Sequence, residues 1–216
     1  MSFSMRSFLL RSVVFVCLTA TGFAQTPDLK LKGDRFKPLT ADQLTPEQKT
    51  MADWVTANVG TLGGPANVLL RSPVMGEYAE QMYNELRLHS AIPPKLNEFS
   101  TMIVARAWTA QFMWYVHSRA AIRAGLSKDV ADAVAAGKRP TSMKPDEAVV
   151  YNFCDELLTN KHVSDATYKA VVDQFGEKGT VDLMGNLGYF NMVAMLLNVD
   201  RYPLPDGVTA PLQPLK

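Results

Sequence analysis

Glu98 and His117 are the residues of this chain whose types best suit proton chemistry. They flank a run, 97–117, that is otherwise almost wholly apolar. Arg106 is the other charged residue in the run, and the Tyr115 phenol stays neutral at pH 7. A carboxylate and an imidazole in apolar surroundings are costly unless they pair or react. As a pair they make a general acid/base couple, because imidazole exchanges protons near neutral pH and a carboxylate orients the ring. Spacing adds a constraint. Their separation along straight helix would be roughly 28 Å, at about 1.5 Å per residue. For the two groups to meet, the chain must break and fold back. The expected break is Trp108-Thr109-Ala110, giving two antiparallel helices with Glu98 and His117 across one seam.

The neighbours of the pair divide into candidates for a site and for plain packing. Met102 and Ala105 share a face with Glu98 and argue that it points inward, against the solvated first-turn position that acids favour. Trp114 lies three residues before His117 on the same helical face, where it could wall a pocket or fill core. Gln111 and Tyr115 are four apart and share a second face, which could supply hydrogen bonds to a ligand. Arg71 follows Leu69-Leu70 in a loop, where it could grip a substrate carboxylate with both arms of its fork or simply face water. His89 and His162 read as exposed residues at loops or helix ends. Three scattered histidines show no metal-ligand spacing. Gly60-Thr61-Leu62-Gly63-Gly64 lacks the preceding strand that a phosphate loop requires. The residues therefore give no expected metal site and no phosphate or dinucleotide loop.

The elements that must carry these residues are punctuated clearly. Thr45-Pro46-Glu47-Gln48 is a capping box with proline at the first helical position, predicting a helix to about Asn58. Residues 67–70 make a short apolar segment of about one turn. Pro73 opens a helix through Glu77, Tyr78, Met82 and Leu86. Pro93-Pro94 opens the helix carrying Glu98. Gly125 reads as a C-cap, Ser127 as the next N-cap, and Gly137 as the end of that helix. Pro145-Asp146-Glu147 starts a helix reaching about Asn160. Ser164 caps another that stops at Gly176, and a strongly apolar last helix covers about 180–198. No segment alternates as a strand does, so the fold class is all-α. Gly185, Gly188, Met192, Ala194 and Met195 suit close helix packing and make the last helix a candidate subunit interface.

The 216 residues are 47% apolar and 20% charged, which fits one globular domain with a sizeable core. Residues 1–24 read as a signal peptide: a basic start with Arg6 and Arg11, a short apolar stretch, and a small-residue cleavage site after Ala24. The chain is therefore expected to be exported, to the periplasm or outside, with no stable membrane insertion once cleaved. Removing Arg6 and Arg11 from the 22 basic residues leaves 20 against 21 acids, which gives no electrostatic case for nucleic acid. Cleavage also removes Cys17 and leaves Cys154 alone, so dithiol chemistry within one chain is excluded. Cys154 reads as a small buried hydrophobe. The expected organisation is an arm at 25–43, a helical domain at 44–200, and a Pro-rich tail at 201–216 with Pro203, Pro205, Pro211 and Pro214.

Glu98 followed by Trp114-Tyr115-Val116-His117 resembles the signature of the carboxymuconolactone decarboxylase family, which shares its fold with the alkylhydroperoxidase AhpD. Gly64-Pro65-Ala66-Asn67-Val68-Leu69-Leu70-Arg71-Ser72-Pro73, Ile92-Pro93-Pro94, Ala124-Gly125-Leu126-Ser127 and Val163-Ser164-Asp165-Ala166-Thr167-Tyr168 fit a decarboxylase-like subgroup. The resemblance covers roughly residues 40 to 210. It implies an AhpD-like helical bundle, a homo-oligomer such as a trimer or hexamer, and a cofactor-free lyase acting on a small carboxylated unsaturated lactone. His117 would be its general acid/base and Glu98 would orient it. Two departures stand out. The Cys-x-x-Cys pair of the peroxidase branch falls here on Ala110 and Met113, which disfavours alkylhydroperoxidase activity. The Tyr-Glu-Trp triplet of the decarboxylase branch is Phe112-Met113-Trp114, so its second carboxylate is lost. A non-catalytic helical oligomer that binds a small apolar acid is the remaining alternative.

Overall fold

The computed structural model describes residues 28–214. The expected signal peptide, its cleavage point, Cys17 and the first residues of the arm lie outside them. Among the described residues the chain is all-α, with eight helices, a 3-10 turn at Ala41–Gln43 and no strand. The helices are α1 Pro46–Asn58, α2 Ala66–Leu69, α3 Pro73–His89, α4 Pro94–Ala107, α5 Gln111–Arg123, α6 Lys128–Ala135, α7 Pro145–Asn160 and α8 Asp165–Asp200. None is long and apolar enough to cross a membrane.

Local chemistry explains most of the boundaries. Thr45 and Gln48 close the capping box reciprocally, each accepting from the other's backbone N–H at 3.3 and 2.9 Å. Ser127 and Ser164 cap α6 and α8 through their side chains. Gly176, at φ 70° and ψ 177°, interrupts α8. The expected stop is therefore at the right residue, but the helix resumes at once instead of near residue 180.

Helix α4 is the axis of the domain. It buries Leu96 and every residue from Phe99 to Arg106, and α5, α7 and α8 pack around it. A smaller core forms between α1 and α3 from Met51, Ala52, Val55, Leu69 and Leu70. Gly76 permits that approach: a Cβ there would sit 2.7 Å from the Met51 Cε. The close contact turns the Gly76–Ala79–Glu80 face of α3 inward and leaves Tyr78 and Met82 exposed.

The arm wraps the domain. Leu31 enters the smaller core. The buried Asp200 carboxylate at the end of α8 accepts from the backbone N–H groups of Asp34 and Phe36 at 3.1 and 2.8 Å. The tail is held as well. Gln111, at the start of α5, donates to the Leu212 carbonyl at 2.8 Å and accepts from its N–H at 2.9 Å.

Candidate functional site

Two antiparallel helices carry the expected pair. The chain leaves α4 at Trp108 and turns through Thr109, which has φ 48°, before α5 begins at Gln111. The turn is anchored from α8: Asn198 donates to the Trp108 carbonyl at 2.9 Å, and Asn191 accepts from the Trp108 indole N–H. This reversal brings Glu98 Oε2 to 2.7 Å from His117 Nδ1. The Glu98 side chain is 31% exposed and that of His117 14%. A carboxylate on Nδ1 fixes the ring orientation and leaves Nε2 for a ligand. The edge of the neighbouring Phe190 ring packs against the imidazole, with centroids 4.8 Å apart.

The pair stands between two cavities. His117 lines a mostly apolar one of about 280 Å³, whose walls include Phe112, Met113, Val193 and Leu197 and whose rim includes Gly63-Gly64-Pro65. Its volume is close to the lower end, about 300 Å³, of ordinary small-molecule sites. Glu98 lines a smaller, more polar pocket of about 70 Å³ with Arg87, Asn97, Thr101 and Asn186. Tyr83 and Phe190 belong to both walls. Asn186 fixes α8 against α4 beside Glu98, donating to Ser100 Oγ at 2.8 Å and Thr101 Oγ1 at 3.1 Å.

The other four expected site residues are elsewhere. Trp114 is buried in the main core and does not line the cavity. The Tyr115 hydroxyl accepts from Arg119 at 2.7 Å, and its ring lies under the same guanidinium. Gln111 is occupied by the Leu212 backbone. Arg71 donates to the Asn67 carbonyl and side chain and to the Lys37 carbonyl, so its fork holds the arm. Expected as substrate contacts, Trp114, Tyr115, Gln111 and Arg71 are none of them in the lining of the His117 cavity. Arg106 closes α4, where a cation complements the helix end, and lines a separate groove. His89 pairs with Glu85 on the surface, and His162 is exposed.

Sequence reasoning missed the polar groups that do face His117's cavity: Glu80, Tyr83 and Tyr189. Glu80 is only 5% exposed. The Tyr189 hydroxyl donates to its Oε1 at a long 3.4 Å. Burial pushes the Glu80 carboxyl up to about 7, with the Tyr189 contact opposing that shift. Burial also raises both phenols, which therefore remain hydrogen-bond donors at neutral pH. No Lys or Arg lines this cavity among the described residues. The available signal was the placement of Glu80 at i+4 from Gly76 and i−3 from Tyr83, an acid on a stripe of small and aromatic residues.

Among the described residues no group of three His, Cys, Asp or Glu side chains lies together as metal ligands would. Cys154 is fully buried, and burial pushes its thiol pKa far up. It lines neither cavity. A thiol-specific reagent is expected to leave Cys154 unmodified in the folded protein and to label it after unfolding, as followed by mass spectrometry. Rapid labelling of the native protein would contradict this.

No protein-family model matches the chain, and no curated protein does. A functional reading therefore rests on the site's own geometry and on the residue pattern around Glu98 and His117.

Proposed function

We propose that this chain is a cofactor-free lyase that removes carbon dioxide from a small carboxylated unsaturated lactone or a related acid. The observation that carries the reading is the Glu98–His117 hydrogen bond at the wall of an apolar cavity. In such a substrate the lactone carbonyl can receive the electron pair released as carbon dioxide departs. What the protein must supply is a group to meet the developing oxyanion and a proton for carbon. His117 Nε2 suits the first task, with Glu98 holding the ring and balancing imidazolium charge. The cavity suits the leaving group. A carboxylate seated there sheds water without gaining a guanidinium or ammonium partner, which favours its loss as neutral carbon dioxide. The resemblance of Glu98 and the Trp114–His117 segment to the decarboxylase family supports the same chemistry.

The test is turnover of a panel of carboxylated butenolides by the purified protein, with carbon dioxide release as the readout. Glu98→Gln is expected to lower kcat by about 10- to 100-fold, the worth of one charge-assisted hydrogen bond. Wild-type protein inert toward the whole panel would end the lyase reading.

A further inference from the structure

We propose that Glu80 is the acid that delivers the proton to carbon, working across the cavity from His117. The inference rests on the lyase reading and divides the labour within it. His117 has one free ring nitrogen, because Nδ1 is engaged by Glu98. A proton held on Nε2 against the oxyanion cannot at the same moment be given to carbon. A second donor is needed, and it must come from a different wall.

Glu80 meets that need by position. It comes from α3, whereas His117 comes from α5, and both line the same cavity. The titratable groups facing it are Tyr83 of its own helix, Tyr189 of α8 and His117 of α5. The loop from α1 to α2 brings Thr61, glycines and Pro65, none of which titrates. Without a Lys or Arg beside it, a carboxylate at this depth is costly, and the carboxylic acid is the favoured form. The upward shift caused by burial agrees with that geometry. Tyr189 keeps the carboxyl oriented while leaving its acidic proton unclaimed, since the phenol donates in that contact.

The step balances. The bond between ring carbon and carboxylate breaks, and its electron pair passes through the unsaturation to the lactone carbonyl oxygen. Carbon dioxide leaves. The Glu80 O–H bond breaks as the electron pair returns, forming the new C–H bond, and the Glu80 carboxylate regains its proton from water.

The experiment uses the full-length protein, a carboxylated butenolide and D₂O. Wild-type product is expected to carry one deuterium on one face, and kcat to fall as pH rises above about 7. Glu80→Gln, nearly isosteric and able to keep the Tyr189 contact, is expected to lose about 10²–10⁴-fold in kcat. It should also lose that alkaline limb and scramble the deuterium. Glu80→Asp is expected to keep the limb and the facial preference at a reduced rate. A purely structural glutamate would leave the limb and the stereochemistry unchanged in Glu80→Gln. That result, alongside an inactive His117→Ala, would overturn the role of Glu80 and leave the lyase reading standing. A wild type inert toward every lactone acid would remove both.

Discussion

His117→Ala should lower kcat on a carboxylated butenolide by about 10²–10³-fold, the usual worth of one hydrogen-bond donor to a developing oxyanion. The loss should fall on kcat more than on KM, because the imidazole meets charge that develops only in the transition state. The variant should remain folded. His117 lies at a cavity wall and its partner Glu98 is 31% exposed, so removing the ring strands no fully buried charge. A cost of about 1 kcal/mol in stability is the expected scale for one such hydrogen bond. Steady-state kinetics beside circular dichroism decides the matter. A folded variant that loses less than about tenfold would remove His117 from the mechanism.

Glu80→Gln should make the protein more stable at pH 8 than the wild type, and no different near pH 4. In the folded chain the Glu80 carboxyl is raised to about 7 from an ordinary 4.5. Below 4.5 both folded and unfolded states hold the proton, and the group contributes nothing to the pH dependence. Between 4.5 and 7 the unfolded chain ionises while the folded one does not, so the folded state binds more protons and stability falls as pH rises. Above about 7 the loss is complete, at about 3 kcal/mol. Glutamine does not titrate, so the variant lacks this slope. Urea unfolding of both proteins at pH 4 and pH 8 measures the difference. Equal stability at both pH values would show that Glu80 ionises as freely folded as unfolded. Such a gain at alkaline pH, set against the loss of turnover, is the trade expected when a site keeps a strained group for function.

The helices were legible because their ends are local chemistry. Thr45–Gln48, Ser127 and Ser164 cap from within three residues, and Pro73, Pro94 and Pro145 sit at first helical positions. The meeting of Glu98 and His117 was legible because two costly groups in one apolar run had few other ways to be satisfied. Trp114 was misplaced for a geometric reason. Three residues of helix turn about 300°, so it lies about 60° round from His117, which is enough to move it from cavity to core. Arg71, Gln111 and Asp200 take partners far away in sequence, on the arm or the tail, and nothing local announces them. Glu80 looked like an ordinary helical acid. Its burial comes from the packing of α3 against both α1 and α8, with Gly76 beneath Met51 and Tyr189 against the carboxyl.

The clasp between Gln111 and Leu212 bears on the order in which the molecule can be completed. A chain is synthesised from its N-terminus, and α4 and α5 emerge well before residue 212. Until that residue is available, the first turn of α5 lacks the strap that holds it, six residues before His117. Val193 and Leu197, which close the same cavity, also arrive late. A growing chain therefore carries Glu98 and His117 through the making of α6, α7 and most of α8 without a finished pocket around them. The start of α5 is strapped late, when the stretch around Leu212 lies down across it.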